Sequence, residues 1–417
     1  MQRLTPWLML VVLLLGLLFL REPHAQHWDD GFLRWLLQQS RPAVAAVPLT
    51  VVEIGAEIGS DNAGEATTVG RPAAITPLEF ALFLQSIMEF YPEVIAFENI
   101  LKWRERDKDQ EQVFLDQAMR VPKLLLGAEL TTMPDPDAPG REIQGFTEVK
   151  GRRGDLAEFS GVGRQPGEDM QLISTLSFVN LPDEVSSDVR VPLLFMYRGE
   201  VIPSFPLQAV LLWLRVTPAE VKIELGSHIA LPDGRKIPIA SDGSMLIHPN
   251  AAKNARRLSL GELLVLTQQH EAGKPMPPEF AELHNNLVLA RVPANPLSPP
   301  DVFAATIASI QGNAYPRRVP KWFDAALLFA AVGSIGFLRR LDTGDLLLCG
   351  IAYTAAYCLI ALSVITAWEI WLPGCIPVGA VWLVIAIVLI LRRSHQPAGG
   401  ASIAIPPPSA RFVRDRF

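Results

Sequence analysis

Residues 76–100, TPLEFALFLQSIMEFYPEVIAFENI, predict a helix that leads directly into a short apolar strand. Thr76, Pro77 and Glu79 occupy the cap, first and third positions of a capping box, in which the glutamate accepts a hydrogen bond from the cap amide. The apolar residues that follow recur at helical spacing and form one buried face: Phe80, Phe83, Leu84, Ile87 and Tyr91. Val94–Phe97 is typical of a buried strand. A helix packed beside such a strand is the repeating unit of an α/β sheet.

The same alternation of strands and helices continues on both sides of this stretch. Further strands are predicted at Leu49–Ile54, Lys123–Leu126, Leu193–Tyr197 and Leu287–Ala290, and further helices over 109–119, after Ser204, after Ser259 and around 303–310. This order predicts an α/β fold with a Rossmann-like, mainly parallel sheet and helices on both of its faces. Residues 131–170 are rich in glycine, proline and charge, and are expected to be an insertion or flap without regular elements.

Four apolar stretches predict membrane spans in a chain of 417 residues that is 49% apolar and 19% charged. The stretches are Leu4–Leu20, Phe323–Leu338, Leu346–Trp368 and Ile370–Leu391. We interpret the first as a retained anchor, because Pro23-His24-Ala25 fits the small-residue cleavage site of a signal peptide poorly. The basic pairs Arg339–Arg340 and Arg392–Arg393 are expected in the cytoplasm.

These spans divide the chain into four predicted parts. Residues 1–20 form an N-terminal transmembrane helix, 21–321 an extracytoplasmic domain that includes the 131–170 insertion, 322–392 three transmembrane helices, and 393–417 a short cytoplasmic tail. With four spans we expect a multi-pass membrane protein, whose two termini lie in the cytoplasm and whose large domain lies outside it.

Composition and motifs exclude several function classes. A net charge of −6 gives no reason to expect nucleic acid as a partner. The three cysteines, Cys349, Cys358 and Cys375, all fall in the C-terminal apolar stretches, which leaves none for zinc or a disulfide in the polar region. His270-Glu271 begins a zinc-protease motif that fails at Lys274. We therefore predict no metal, no cofactor and no enzymatic activity.

Four motifs in a fixed order resemble the type-2 CHASE family of extracellular sensory domains found in bacterial signalling membrane proteins. They are Val51-Val52-Glu53-Ile54, Val94-Ile95-Ala96-Phe97-Glu98, the segment Pro192–Leu214 (PLLFMYRGEVIPSFPLQAVLLWL), and Asp242-Gly243-Ser244-Met245-Leu246-Ile247. The membrane layout is similar as well, since members have one N-terminal span, an outer domain and three clustered spans. The chain departs from the family pattern at Gly70-Arg71-Pro72, where a Trp-Pro motif is usual.

The resemblance implies a sensor in the bacterial inner membrane with a large periplasmic domain. Members usually carry a cytoplasmic kinase, cyclase or phosphatase domain, for which residues 393–417 are too few. We therefore expect the output to pass to a separate signalling or envelope protein. The other expected partners are membrane lipid and an unknown ligand or protein at the outer domain, and a homo-oligomer is possible. The alternatives are a structural subunit of an envelope complex and, less favoured, an extracytoplasmic hydrolase.

The candidate ligand site lies where two predicted strands end. Glu53 and Glu98 are expected at the carboxyl ends of neighbouring parallel strands, where open α/β sheets bind ligands, with Glu57 and Asn99 nearby. Two close carboxylates repel unless a cation or donor lies between them, and Arg71 is a possible partner. The site is either a pocket for a polar ligand or cation, or a structural cluster of ion pairs, and the second reading is favoured.

Three small residues in the second predicted span suggest a close helix contact. Gly333, Ser334 and Gly336 form a small face that would let another helix approach.

Overall fold

We describe a computed structural model of the chain, which covers residues 13–14, 16, 23–40, 46–55, 76–103, 108–133, 143–182, 189–275, 283–292, 301–334 and 341–393. Several predictions lie outside these residues: most of the span Leu4–Leu20, the site residues Glu57 and Arg71, Gly336, and the tail after 393.

The helices and strands alternate through most of the chain. The helices are α1 (Pro23–Gln39), α2 (Pro77–Met88), α3 (Lys108–Ala118), α4 (Glu168–Leu172), α5 (Phe205–Leu214), α6 (Leu260–Glu271), α7 (Val302–Gln311), α8 (Lys321–Gly333), α9 (Thr343–Trp368) and α10 (Cys375–Arg393). The strands up to residue 200 are β1 (Leu49–Glu53), β2 (Val94–Phe97), β3 (Leu124–Ala128), β4 (Leu130–Thr131), β5 (Glu148–Lys150), β6 (Glu158–Phe159), β7 (Gly161–Val162), β8 (Thr175–Phe178), β9 (Arg190–Pro192) and β10 (Leu194–Tyr197). The later strands are β11 (Glu200–Pro203), β12 (Lys222–Glu224), β13 (His228–Ala230), β14 (Lys236–Pro238), β15 (Ser244–Leu246), β16 (Arg256–Ser259), β17 (Leu287–Arg291), β18 (Arg317–Arg318) and β19 (Ile370–Trp371).

A six-stranded parallel sheet in the order β16-β1-β17-β2-β3-β8 forms the centre of the domain. Its four central strands, β1, β17, β2 and β3, are almost entirely buried, as expected when both faces are covered. Successive residues of a strand point to opposite faces, so Val51 packs with α5 and α7 while Val52 packs with α2, α3 and α6. The prediction of a parallel sheet with helices on both faces is confirmed.

The predicted helix starts depend on the caps that the sequence encodes. The Thr76 amide donates to Glu79 Oε2 at 2.8 Å, which starts α2, and the Ser259 amide donates to Glu262 Oε2 at 2.8 Å, which starts α6. Each cap satisfies an amide that has no partner inside its helix.

The prediction that 131–170 lacks regular structure is wrong for the part that the structure describes. β5 pairs with β12, β6 pairs with β10, and β7 pairs with β4. These strands have two or three residues each, too few for hydrophobic alternation to show in the sequence, and their partners lie far away in the chain.

The chain divides into two units. The larger comprises Gln26–Val319 and Leu359–Pro373, and the smaller comprises Met1–Ala25, Pro320–Cys358 and Gly374–Phe417. In the smaller unit α8 packs along α10 through a core formed by Leu328, Ala331, Ile376 and Ala380.

Among the residues that the structure describes, one helix is long and apolar enough to cross a membrane. This helix is α9 (Thr343–Trp368), whereas Trp322–Gly333 and Cys375–Ile390 are shorter apolar helices. The predicted count of one plus three spans is therefore not confirmed. The last predicted span also starts too early, because Ile370–Trp371 pairs as β19 with β18 and α10 begins only at Cys375.

Candidate functional site

Glu53 and Glu98 lie at the carboxyl edge of the sheet but not on neighbouring strands. Strand β17 runs between β1 and β2, and its last residue, Arg291, is in register with Glu53. Glu98 follows Phe97, which pairs with Ala290. The prediction of neighbouring strands is wrong because β17, the last strand of the sheet in sequence order, lies between β1 and β2, the first two. The insertion places a guanidinium between the two carboxylates.

Five side chains of alternating charge form one row along this edge, which we call the carboxyl-edge network. Arg291 Nε lies 3.4 Å from Glu98 Oε1, and Arg291 Nη1 donates to Asp301 Oδ1 at 2.8 Å. Arg257 Nη2 donates to the same Asp301 oxygen at 2.7 Å, and Arg257 Nη1 lies 3.8 Å from Glu53 Oε1. The row contains three carboxylates and two guanidinium groups, so each carboxylate has an opposite charge beside it.

Asp301 is the central carboxylate of the network and also precedes α7. It occupies the N-cap position with a left-handed backbone, φ +68°, and its side chain makes no capping hydrogen bond. An aspartate tolerates this conformation better than most residues do. The side chain that would ordinarily cap α7 is directed to Arg257 and Arg291 instead, so the start of this helix is connected to the network.

Asn99 holds the loop beside the network. Its Oδ1 accepts a hydrogen bond of 3.0 Å from the Val292 amide, and the Ile54 amide donates to the Arg291 carbonyl at 2.8 Å. Both bonds are made by the peptide group that joins Arg291 to Val292, so they fix the chain directly after the Arg291 side chain. Of the predicted site residues, Glu53, Glu98 and Asn99 are thus together, whereas Glu57 and Arg71 are not described.

The two ends of the network differ in their access to solvent. The side chains of Glu98 and Arg291 are only 2% and 7% exposed, whereas those of Glu53, Arg257 and Asp301 are each about one-third exposed. A buried pair is costly to separate, while an accessible pair can exchange partners with little cost. The arrangement therefore combines a fixed inner pair with an outer group that a polar ligand could reach.

Sequence reasoning missed Arg257, Arg291 and Asp301. Arg291 follows the predicted strand Leu287–Ala290 directly, which was a usable signal, but its role required the strand order. Arg257 lies in β16, a strand that hydrophobic alternation did not reveal because its sequence is RRLS. Among the described residues no group of three or more His, Cys, Asp or Glu side chains could hold a metal ion.

Gly333, in the second predicted span, makes no close contact with another described helix. A Cβ on Gly333 would meet nothing within 4 Å, and Ser334 Oγ donates to the Ala331 carbonyl of its own helix at 2.7 Å. A close approach occurs at Gly350 instead, where a Cβ would lie 2.6 Å from Ile385 Cδ1. A contact of Gly333 with a second copy stays a prediction.

Comparison with known protein families decides the identity of the domain. A family model described as "CHASE2 domain" matches residues 8–299, which is more than half of the chain. The chain belongs to the CHASE2 family. CHASE2 is a family of sensory domains, which agrees with the resemblance seen in the motifs around Glu53, Glu98 and Asp242. Comparisons with curated proteins and with solved structures give no match.

Proposed function

We propose that this CHASE2 protein is a membrane-anchored extracytoplasmic sensor. It binds a ligand or a protein outside the bacterial inner membrane and passes its state through its membrane helices to a partner protein. The family match supports the sensory role, and the length and apolar character of α9 support the membrane anchor.

The observation that carries the proposal is the pairing of β18 with β19, which we call the strap. The Arg317 amide donates to the Glu369 carbonyl at 2.8 Å, and the Val319 amide donates to the Trp371 carbonyl at 3.1 Å. The guanidinium of Arg318 also lies over the ring of Trp371, 5.4 Å from its centre. The segment that leaves the sensory domain is therefore bonded to the connector between α9 and α10. This pairing agrees with a topology in which that connector lies on the same side of the membrane as the domain.

A short route joins the carboxyl-edge network to the strap. Asp301 of the network immediately precedes α7, all of whose residues are buried, and α7 is followed after five residues by β18. Tyr315, between α7 and β18, is 1% exposed. A ligand that exchanges partners with Arg257 or Asp301 would move the start of α7, and a buried helix transmits such a shift to its other end. Such a ligand signals only if it favours one arrangement over the other.

Co-purification from native membranes tests this function. We expect the full-length protein to be retained in membranes after alkaline carbonate washing, and to bring down a kinase, a cyclase or another signalling protein. The variant Asp301→Asn should alter the activity of that partner, whereas Asp116→Asn should not, because Asp116 is exposed on α3 and accepts a hydrogen bond from Gln112 of the same helix. Release from membranes by carbonate, or no change in any signalling output when the gene is deleted, would contradict the proposal.

Two other functions give different results in the same experiment. A structural envelope subunit would bring down envelope components alone. A hydrolase that uses Glu53 or Glu98 would show an activity that Glu53→Gln and Glu98→Gln abolish. The geometry disfavours the hydrolase, because Glu98 is 2% exposed and faces Arg291, and an ion-paired carboxylate is a poor general base.

A further inference from the structure

Helix α1 has two different apolar faces. Leu33, Leu36 and Leu37 are fully buried in the domain. The opposite face carries Trp28, which is 65% exposed, and Trp35, which is 42% exposed. Phe32 lies between them and stacks on Trp35 with their ring centres 5.8 Å apart. We call Trp28, Phe32 and Trp35 the aromatic face. They follow one another at i, i+4 and i+7, so they form one stripe along the helix.

The domain holds α1 firmly, so the outward direction of the aromatic face is fixed. Both oxygens of Asp30 accept hydrogen bonds from Arg190, at 3.0 and 3.3 Å. At the end of the helix, Ser40 Oγ bonds to His248 Nε2 at 3.1 Å. The carboxylate of Asp30 is thereby held on the inner face of the helix. The exposed described positions of the helix, Trp28, Gly31, Trp35, Gln38 and Gln39, carry no charge.

Contacts within the larger unit relate α1 to the end of α9. Asp29 Oδ2 lies 3.7 Å from Arg318 Nη2, and Arg318 in turn lies over the ring of Trp371. Trp371 comes three residues after Trp368, the last residue of α9, which is itself 69% exposed. If α9 crosses the membrane, its end marks the bilayer surface. The start of the aromatic face is connected to that end through the Asp29–Arg318 pair and the contact of Arg318 with Trp371.

We propose that the aromatic face of α1 lies in the lipid headgroup layer of the membrane. Tryptophan is enriched at this depth because its ring is apolar and its N–H can still reach water or a headgroup. An uncharged aromatic stripe at the end of a spanning helix fits lipid better than it fits solvent. The predicted span Leu4–Leu20 ends shortly before α1 begins, which brings the same helix to the same surface. The inference rests on the membrane anchor of the proposed function.

Depth-dependent fluorescence quenching in reconstituted vesicles tests the inference on the full-length chain. Cys349, Cys358 and Cys375 are first replaced by alanine, and an environment-sensitive probe is attached to Trp35→Cys or, separately, to Trp28→Cys. The vesicles are phosphatidylcholine with a nitroxide either on the headgroup or deep in an acyl chain. Two controls use exposed apolar positions: Ile360→Cys in α9, 55% exposed, and Leu172→Cys in α4, 81% exposed.

We expect the headgroup nitroxide to quench the probes at positions 28 and 35 at least twofold more than the deep nitroxide does. Position 360 should be quenched more by the deep nitroxide, and position 172 by neither. If position 360 is quenched while 28 and 35 behave like 172, the inference is wrong and the anchor stands. If position 360 is not quenched either, both are wrong. Cross-linking of position 35 to a second copy, with no quenching, would assign the aromatic face to a dimer instead.

Discussion

At the scale of single residues, Arg291 and Arg257 explain how the carboxylates of Glu53, Glu98 and Asp301 can lie in one row. A guanidinium at the end of β17 faces Glu98 on one side and shares Asp301 with Arg257 on the other. The strand order therefore places Arg291 beside Glu98 and Arg257 beside Glu53, since carboxylates without a neighbouring cation would raise the free energy of the folded state.

Replacing Arg291 should destabilise the protein far more than replacing Arg257. We expect Arg291→Met to cost about 3–5 kcal/mol, because Glu98 would stay buried without its guanidinium neighbour. Arg257→Met removes a side chain that is 37% exposed and should cost at most about 1 kcal/mol. Denaturation of both full-length variants in nanodiscs measures the difference. Adding Glu98→Gln to Arg291→Met should recover part of the loss, and equal costs for the two single variants would refute this division.

His248 makes the attachment of α1 dependent on pH. The Asn250 amide donates to His248 Nδ1 at 3.1 Å, so the neutral ring carries its proton on Nε2 and donates to Ser40 Oγ. Burial, with a smaller contribution from Lys253, lowers the pKa of His248 to about 4. The unfolded chain binds the proton with a pKa near 6.5. The folded state therefore keeps its full stability above pH 6.5 and loses stability as the pH falls from 6.5 towards 4.

Protonation of His248 should lower the free energy of unfolding by about 2–3 kcal/mol between pH 6.5 and pH 4. The variant His248→Gln should flatten the pH dependence of stability in that interval. Ser40→Ala should lower stability by about 1 kcal/mol at every pH and leave the slope unchanged, because it removes a hydrogen bond but not the titrating group. Melting temperatures measured every half pH unit distinguish the two. An unchanged slope in His248→Gln would show that another group titrates.

At the scale of secondary-structure elements, Glu93 ties three of them together at the amino edge of the sheet. It precedes β2 and accepts hydrogen bonds from Arg215 Nε and Nη2, at 2.8 and 2.7 Å, where α5 ends. It also pairs with Lys123, before β3, whose ammonium group donates to the Leu212 carbonyl at 3.0 Å. Hydrogen bonding from Arg215, joined by Lys123, lowers the pKa of Glu93 to about 2.

The ion pairs of Glu93 with Arg215 and Lys123 should be lost only in strong acid. A carboxylate with a depressed pKa contributes stability above its unfolded value of about 4.5, and that contribution is lost as the pH falls towards 2. Because Arg215 is 72% exposed, solvent screens the pair and its contribution to stability is small. We expect Arg215→Gln to remove most of it at pH 7 and little at pH 2. Denaturation at both pH values tests this, and an equal loss at both would contradict it.

The sequence predicts the individual helices and strands of this fold better than it predicts which strands lie side by side in the sheet. Strands such as Val94–Phe97 and helices with capping boxes follow from local spacing, because burial and caps depend on residues close in the chain. The position of β17 between β1 and β2 depends on contacts between distant segments, which no local pattern reports. β16 was missed because its sequence, RRLS, shows no hydrophobic alternation, and Arg257 was missed with it. Glu53, Glu98 and Asn99 could therefore be assigned to one edge, but not the partners that neutralise them.

At the scale of the whole molecule, the strap is the feature on which the proposed route of the signal depends. Two strands of two residues each, Arg317–Arg318 and Ile370–Trp371, contribute little to stability. Their position gives them a role, because they bond the exit of the domain to the connector that follows α9. The spans were predicted from hydropathy alone, and hydropathy did not separate Ile370–Trp371 from the helix that follows.

Cysteine cross-linking across the strap tests this account most directly. In a variant with Cys349, Cys358 and Cys375 replaced by alanine, Arg317→Cys is combined with Ile370→Cys, its register partner. Neighbouring strands lie about 4.8 Å apart, within the Cα range that a disulfide spans. The control combines Arg317→Cys with Leu348→Cys, at the other end of α9 and about 30 Å from Trp368 along the helix.

We expect rapid oxidation to an intramolecular disulfide for the first pair in intact membranes, and none for the control. Absence of the disulfide in the first pair, with both cysteines reactive towards a maleimide, would contradict the strap and with it the proposed route of the signal.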